Sequence, residues 1–322
     1  MNGPPESGRI LVTGAAGMLG SQLLRTVPAS FTAVGTDLIE PEPGASHATG
    51  SDGFAAGVDL TDPDAVHSLF AGRGPFDGVL HPAAYTAVDR AEEDEERARA
   101  INAGAAENVA RAARAAGVPL VLVSTDFVFD GTKGSPYAVD DPPRPLGVYG
   151  RTKLEGEERA RAAHPEGLRI VRTQWLYGPR GAHFPGTMLR LAAERGRLKV
   201  VADQVGSPTT TLQLAPALWD VLARGAPGIY HAACEGSCSW HELAAATLEL
   251  AGVRDVPVKP CTTAEFPRPA PRPAYSVLDC SVLTRLRGRP LAPWREALRE
   301  FLLSEGIPGP AGDRNRGADS IG

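Results

Sequence analysis

Residues Arg9 to Gly20 read Arg-Ile-Leu-Val-Thr-Gly-Ala-Ala-Gly-Met-Leu-Gly, a run of branched apolar residues that passes directly into three glycines spaced three apart. Such a segment predicts a strand, a tight turn and a helix in immediate succession. Gly14 takes turn dihedrals that a side chain disfavours, Gly17 leaves room for a pyrophosphate beside the backbone, and Gly20 lets the helix lie close on the strand. The amides at the helix start lack intrahelical partners and face an anion. A second apolar run, Phe31 to Thr36, ends at Asp37, 17 residues after Gly20, where a carboxylate meets an adenosine ribose.

The alternation continues along the chain. Gly78 to Leu80, Leu120 to Ser124 and Arg169 to Arg172 are short apolar runs separated by helical patterns, which predicts an α/β fold built on a doubly wound, Rossmann-type parallel sheet. A single alanine-rich helix is predicted from Asp94 to Ala116, and the acidic run Glu92 to Glu96 at its start suits the positive end of the helix dipole. Another helix starts near Asp62, so Asp59 reads equally as an acceptor for an adenine amine or as an acid flanking that helix.

Beyond Trp175 proline and glycine become frequent, and the expectation is a smaller, interleaved substrate-binding domain. In this reading residues 9–175 bind the dinucleotide, with elements near 211–233 returning to that domain, while 176–210 and 234–304 grip the substrate. Residues 305–322 read as a disordered tail. Helices are predicted over Thr187 to Arg195, Leu212 to Ala223, Trp240 to Ala251 and Trp294 to Ser304, and a late strand over Gly228 to Ala232. The proline-dense run Phe266 to Pro273 must be extended, and is expected to form a loop able to close over a ligand.

The chain's 322 residues leave room for about two domains. A net charge of -5 gives no global attraction to nucleic acid or to an anionic membrane. The stretch Met1 to Gly8 has no apolar signal-peptide core, and no segment approaches the roughly 20 apolar residues of a membrane span. A cytoplasmic protein with neither nucleic-acid nor membrane partners is expected. The four cysteines, Cys234, Cys238, Cys261 and Cys280, lack paired metal-ligand spacing and read as buried or incidental thiols.

The chemistry is carried by Tyr149-Gly150-Arg151-Thr152-Lys153, where a spacing of four puts a phenol and an ammonium on one helix face. Lysine is scarce here, four among 33 basic residues, and only lysine supplies a compact, titratable ammonium. The run Leu120 to Ser124 delivers Ser124 and Thr125 at the carboxyl end of a strand, where ligands sit in open α/β sheets. Thr125, Tyr149 and Lys153 can then converge on one carbonyl oxygen. Hydride comes from a reduced nicotinamide and the proton from Tyr149, while Lys153 is expected to lower the tyrosine pKa and to hydrogen-bond the nicotinamide ribose.

Together, Thr13-Gly14-x-x-Gly17-x-x-Gly20, Asp59, Ser124-Thr125 and Tyr149-x-x-x-Lys153 resemble the extended short-chain dehydrogenase/reductase superfamily. Longer segments, among them Thr86-Ala87-Val88-Asp89, Ser124 to Phe129, Val148 to Glu157, Asp203 to Thr209, Ser239-Trp240-His241 and Arg272-Pro273, resemble the dTDP-4-dehydrorhamnose reductase family. The resemblance runs from about Arg9 to Leu303. It implies reduction of the 4-keto group of a dTDP-linked 4-keto-6-deoxysugar with NADPH or NADH, giving dTDP-L-rhamnose. By the same resemblance Thr125, Tyr149 and Lys153 are catalytic. Gly14, Gly17, Met18, Leu19, Asp37, Asp59, Leu60, Ala83 and Ala84, with Tyr149 and Lys153, contact the cofactor. Val88, Asp89, Thr125, Asp126, Trp175 and Arg272 contact the substrate. Read from the residues alone, Val88 and Trp175 also suit a core and Asp89 a helix cap. Asp203 and Gln204 read as residues ordering a loop, and His241 as a helix-start residue.

The sequence departs from the family pattern at four places. Phe127 stands where tyrosine is usual, His81 where an asparagine is common, Gln174 replaces a serine, and no asparagine follows Arg272-Pro273. These positions are expected near sugar and cofactor, so a related ketosugar, as in dihydrostreptose assembly, is the alternative substrate. A regulatory subunit like the methionine adenosyltransferase beta subunit, or an epimerase or dehydratase acting on a nucleotide sugar, are the alternatives of other classes. Some family members dimerise through magnesium held by glutamates. No Mg2+ ligands are assigned in this chain, no metal site is predicted, and monomer and homodimer both remain open.

Overall fold

A computed structural model describes residues 5–40 and 51–307. Strand β1 (Gly8–Thr13) turns into α1 (Met18–Arg25), followed by β2 (Phe31–Asp37), β3 (Ser51–Ala56), α2 (Pro63–Arg73) and β4 (Gly78–His81). Then come α3 (Val88–Ala91), α4 (Glu95–Arg99), α5 (Ala105–Ala116), β5 (Leu120–Thr125), α6 (Val148–Ala163) and β6 (Leu168–Thr173). β3 has no counterpart in the sequence reading. Its residues, Ser-Asp-Gly-Phe-Ala-Ala, have little intrinsic strand preference, and it forms by pairing with β2 at the edge of the sheet.

The single helix expected from Asp94 to Ala116 is instead broken. α4 and α5 are joined by a π-helical turn, Ala100–Gly104. Within that turn Asn102 is buried, accepting from the Tyr85 amide at 2.8 Å and donating to the Thr152 hydroxyl at 3.1 Å. The acidic run before it is divided in use. Asp94 caps α4, Glu95 pairs with Arg99, and Glu92 accepts the Val148 amide at the start of α6.

The chain continues through β7 (Leu176–Tyr177), α7 (Phe184–Arg195), β8 (Leu198–Val201), β9 (Val205–Gly206), β10 (Thr209–Thr210), α8 (Thr211–Arg224) and β11 (Gly228–His231). It ends with β12 (Cys238–Ser239), α9 (Trp240–Leu250), β13 (Val258–Cys261), α10 (Ser281–Arg287) and α11 (Trp294–Ser304). Ile307 still packs on the core beside α11. The predicted tail from 308 onward lies outside the described residues.

Seven parallel strands in the order β11-β6-β5-β4-β1-β2-β3 make the central sheet. Its middle strands are buried on both faces, as a parallel sheet between helical layers requires. Leu11, Val79, Leu120 and Val171 are fully buried, each such side chain contributing about 1.5–3 kcal/mol. One layer sets α1 and α8 against the sheet, with Trp219 packed on Phe31 and donating to the Leu23 carbonyl. α10 joins this layer through Leu283. The other layer is α2, α5 and α6. Separate clusters join α7, α9, α11 and the β8–β13 pair into the smaller part of the molecule.

Candidate active site

The connections from β1 to β2 and from β4 to β5 run to opposite sides of the sheet, and ligands bind at such switch points outside the carboxyl ends of the strands. A cleft of about 810 Å³ opens there. Thr13 closes β1 and leads to Gly14, whose φ is 56° and whose missing Cβ would stand 2.8 Å from Ala83 Cα. Both features demand glycine. α1 follows with no side-chain cap and no acid in its first turn, leaving its amides available to a phosphate. A Cβ on Gly20 would strike the Gly14 carbonyl, so this glycine packs the helix on the turn itself rather than on the strand. Asp37 accepts the Ala16 amide at 3.0 Å through one oxygen, tying β2 to the same turn.

Across the cleft, Asp59 flanks α2, one of its two expected roles, and also faces the cavity. It lines the cavity, and it accepts the amide and hydroxyl of Thr61 at 2.9 and 2.7 Å just before α2, bonds that hold its carboxyl below the usual range. Asn108 donates to the Leu60 and Thr61 carbonyls and fixes this wall. His81 is buried at the end of β4, 2.7 Å from the Thr13 hydroxyl. Burial, with the Lys153 charge nearby, pushes its imidazole down to about 3, so it is neutral.

Thr125, Asp126, Tyr149 and Lys153 meet at the carboxyl end of β5 in this cleft. Thr125 is held by the Phe127 amide and donates to Asp126 Oδ1 at 3.1 Å. Lys153 Nζ donates to the Val123 carbonyl at 2.8 Å, and burial pushes its ammonium down to about 8, opposed by Glu157. The expected lowering of the tyrosine pKa by Lys153 is not what the structure shows. Burial pushes the Tyr149 phenol up to about 12, with Thr125 opposing and the Asp126 charge adding. The phenol is therefore protonated, the form that donates. Asp126 is itself pushed up to about 6 by burial, its Oδ2 lacking any partner among the described residues.

Ser124 is turned to other work. Its hydroxyl donates to Glu157 at 2.5 Å, and Glu157 holds Arg172 through two bonds of 2.9 and 2.6 Å in a buried ion pair. Successive strand residues point to opposite faces, so Ser124 and Thr125 separate.

All eleven residues expected at the cofactor line the cleft, as do Val88, Thr125, Asp126 and Trp175. Asp89 and Arg272 lie outside the lining and pair with each other at 3.0 Å. Asp89 also accepts the Ala270 amide at 3.3 Å, so it holds the proline-rich segment against α3. Asp203 and Gln204 both bond Thr263, and His241 lies 3.0 Å from the Val258 carbonyl. Trp175 has a φ of 45°, a left-handed conformation that costs a bulky residue about 1–3 kcal/mol and clusters at functional sites. Sequence reasoning did not anticipate Arg97, Ile101 and Thr173 in the lining. The one available signal was Asn102, a poor helix former in an alanine-rich helix, which marks the π turn that directs Ile101 to the cleft.

The four cysteines are unpaired. Among the described residues no cluster of three His, Cys, Asp or Glu could hold a metal, and no helix is long and apolar enough to cross a membrane.

A family model described as RmlD substrate binding domain matches residues 8–306. The chain is 43% identical to a dTDP-4-dehydrorhamnose reductase of Mycolicibacterium smegmatis over 92% of this chain and 85% of the relative. It is 44% identical to a probable dTDP-4,6-dihydroxy-2-methyloxan-3-one 4-ketoreductase of Streptomyces antibioticus over 91% of this chain and 94% of the relative. A solved dTDP-4-dehydrorhamnose reductase of Bacillus anthracis in complex with NADP superposes with a TM-score of 0.82 at 35% identity, covering 92% of this chain and 99% of that one.

Proposed function

The chain belongs to the dTDP-4-dehydrorhamnose reductase family, and from that premise we propose that it reduces the 4-keto group of dTDP-4-dehydro-L-rhamnose to give dTDP-L-rhamnose. The observation that carries this reading is the meeting of Thr125, Asp126, Tyr149 and Lys153 in the same cleft as the Gly14 turn and Asp37. A nicotinamide dinucleotide fits the residues present, because the Gly14 turn and the uncapped start of α1 leave the open backbone that a pyrophosphate needs. When bound in reduced form it supplies the hydride.

The chain's own residues supply the rest. The protonated phenol of Tyr149 donates to the carbonyl oxygen as negative charge develops there, and the Thr125 hydroxyl turns its one proton from Asp126 Oδ1 to the same oxygen. Lys153 brings a positive charge, anchored by the Val123 carbonyl, to the cofactor's ribose. Val88, Asp126 and Trp175 bound the sugar, and the segments 176–210 and 234–304 grip the sugar nucleotide. Asp37, followed by Leu38 and not by arginine, disfavours a 2′-phosphate and so favours NADH, although the Bacillus anthracis relative was solved with NADP.

A second reading, a related dTDP-ketosugar as substrate, is supported by Phe127 and Gln174 in the cleft lining and by the Streptomyces antibioticus relative. Incubation with dTDP-4-dehydro-L-rhamnose and each reduced cofactor, followed by identification of the sugar product, decides. dTDP-L-rhamnose is the expected product. Turnover of another ketosugar only would favour the second reading.

A further inference from the structure

Trp175 lines the cleft from the loop after β6, but its ring is not held by the large central core. It lies flat on Trp240, the first residue of α9, with centroids 3.6 Å apart and planes 10° from parallel. On one edge the ring is closed in by β9, where a Cβ on Gly206 would stand 2.6 Å from it. Trp240 is fixed in turn. Its indole N–H donates to Gln204 Oε1 at 3.1 Å, Gln204 donates to the Thr263 hydroxyl at 3.0 Å, and Thr263 donates to Asp203 at 2.7 Å. A capping box of Ser239 and Glu242 sets the start of α9, and Phe184 of α7 packs on the Trp240 ring at 4.6 Å.

We infer that Trp240 is a positioning residue for the sugar-nucleotide site: it holds the Trp175 indole in the cleft in the orientation that meets the substrate. The physical reason is that Trp240 covers one flat face of the Trp175 ring, so removing it leaves that face without a packing partner. A ring free to turn must be ordered at each binding event, and that cost falls on substrate affinity rather than on the proton transfer at Tyr149. The chain thereby links the smaller part of the molecule, through Asp203, Thr263 and Gln204, to one wall of the cleft. This inference rests on the proposed function, since it assigns Trp175 to the sugar nucleotide.

The test compares wild type with Trp240→Leu, Trp240→Phe and Gln204→Ala, each with saturating reduced cofactor and varied dTDP-4-dehydro-L-rhamnose. Trp240→Leu is expected to raise KM for the sugar nucleotide about five- to tenfold, the worth of one aromatic pair, with kcat and the cofactor KM little changed. Trp240→Phe, which keeps a ring, is expected to recover most of that loss, and Gln204→Ala to fall between. The far-ultraviolet exciton couplet of the stacked indoles should vanish in both Trp240 variants, giving a readout of the stack independent of turnover. Should Trp240→Leu not fold, Gln204→Ala decides by its intermediate rise in sugar KM. With wild type turning over, an unchanged sugar KM in a Trp240→Leu enzyme that has lost the couplet, an unchanged sugar KM in Gln204→Ala, or an equal rise in both KM values overturns the inference alone. Absence of turnover by folded wild type overturns the functional reading and this inference with it.

Discussion

Lys153 donates to the Val123 carbonyl at 2.8 Å while Glu157 stands one turn along α6, so the ammonium is tied to β5 and opposed by a single buried acid. With Lys153 pushed down to about 8 and Tyr149 up to about 12, rising pH deprotonates the lysine first. The alkaline limb of the kcat/KM profile is expected near pH 8, with activity present below it and lost above it. Glu157→Gln removes the group that raises the lysine pKa and should move that limb to lower pH. A limb unmoved in a folded Glu157→Gln enzyme would contradict the assignment. The same variant leaves Arg172 buried without its counterion and is expected to lose about 3–5 kcal/mol of stability, read by denaturant unfolding.

Asp126 has the opposite stability sign from a salt-bridged acid. Its folded pKa, about 6, lies above its ordinary value, so the folded state binds a proton more tightly and burial of the carboxylate costs stability above pH 6. That cost fades as pH falls toward 4. Asp126→Asn should therefore raise Tm at pH 8, by a free energy on the order of 2–3 kcal/mol, and leave it nearly unchanged at pH 4. On the proposed role of Asp126 at the sugar, the same change should lower kcat/KM about 10- to 100-fold, the worth of one charged hydrogen bond. A Tm gain equal at both pH values would rule out titration of Asp126 as its cause.

Asp37 accepts the Ala16 amide at 3.0 Å through one oxygen and the Ile39 amide, at a longer 3.5 Å, through the other. Asp37→Ala is expected to raise the ratio of NADPH to NADH use, measured as kcat/KM for each, while weakening both through the loosened turn. An unchanged ratio would mean that Asp37 does not meet the ribose.

The Asp89–Arg272 pair should act on the proline-rich segment as a unit. Asp89→Asn and Arg272→Ala are expected to raise the sugar KM to similar extents, and the double variant to be little worse than either. The coupling in a double-mutant cycle should be about 0.5–1 kcal/mol, given partial exposure of both side chains. Additive effects would place the two residues in separate roles.

The glycine turn, the acid that ends β2 and the Tyr149 to Lys153 spacing were legible because each is a local pattern with a backbone consequence. The doubly wound parallel sheet followed from alternation, whereas its switch point needed the strand order. Less legible was what a side chain does with its second partner. Ser124 and Thr125 are adjacent and both line the cleft, yet only the fold decides that one hydroxyl donates to Glu157 and the other to Asp126. Asp89 and Arg272 are far apart in sequence, and their pairing is a tertiary fact. The Tyr149 phenol shows the same limit. Helix spacing places a lysine on the same face, but it is burial and the Asp126 charge, opposed by Thr125, that set the phenol's pKa.

The central claim is proton donation by Tyr149 during reduction of a dTDP-4-ketosugar. It is tested most directly by single-turnover oxidation of NADH or NADPH with dTDP-4-dehydro-L-rhamnose, comparing wild type with Tyr149→Phe at matched, saturating binding of the sugar nucleotide. The account predicts dTDP-L-rhamnose from wild type and a loss of at least about 100-fold in the variant with binding retained. Equal rates in the two proteins would contradict it.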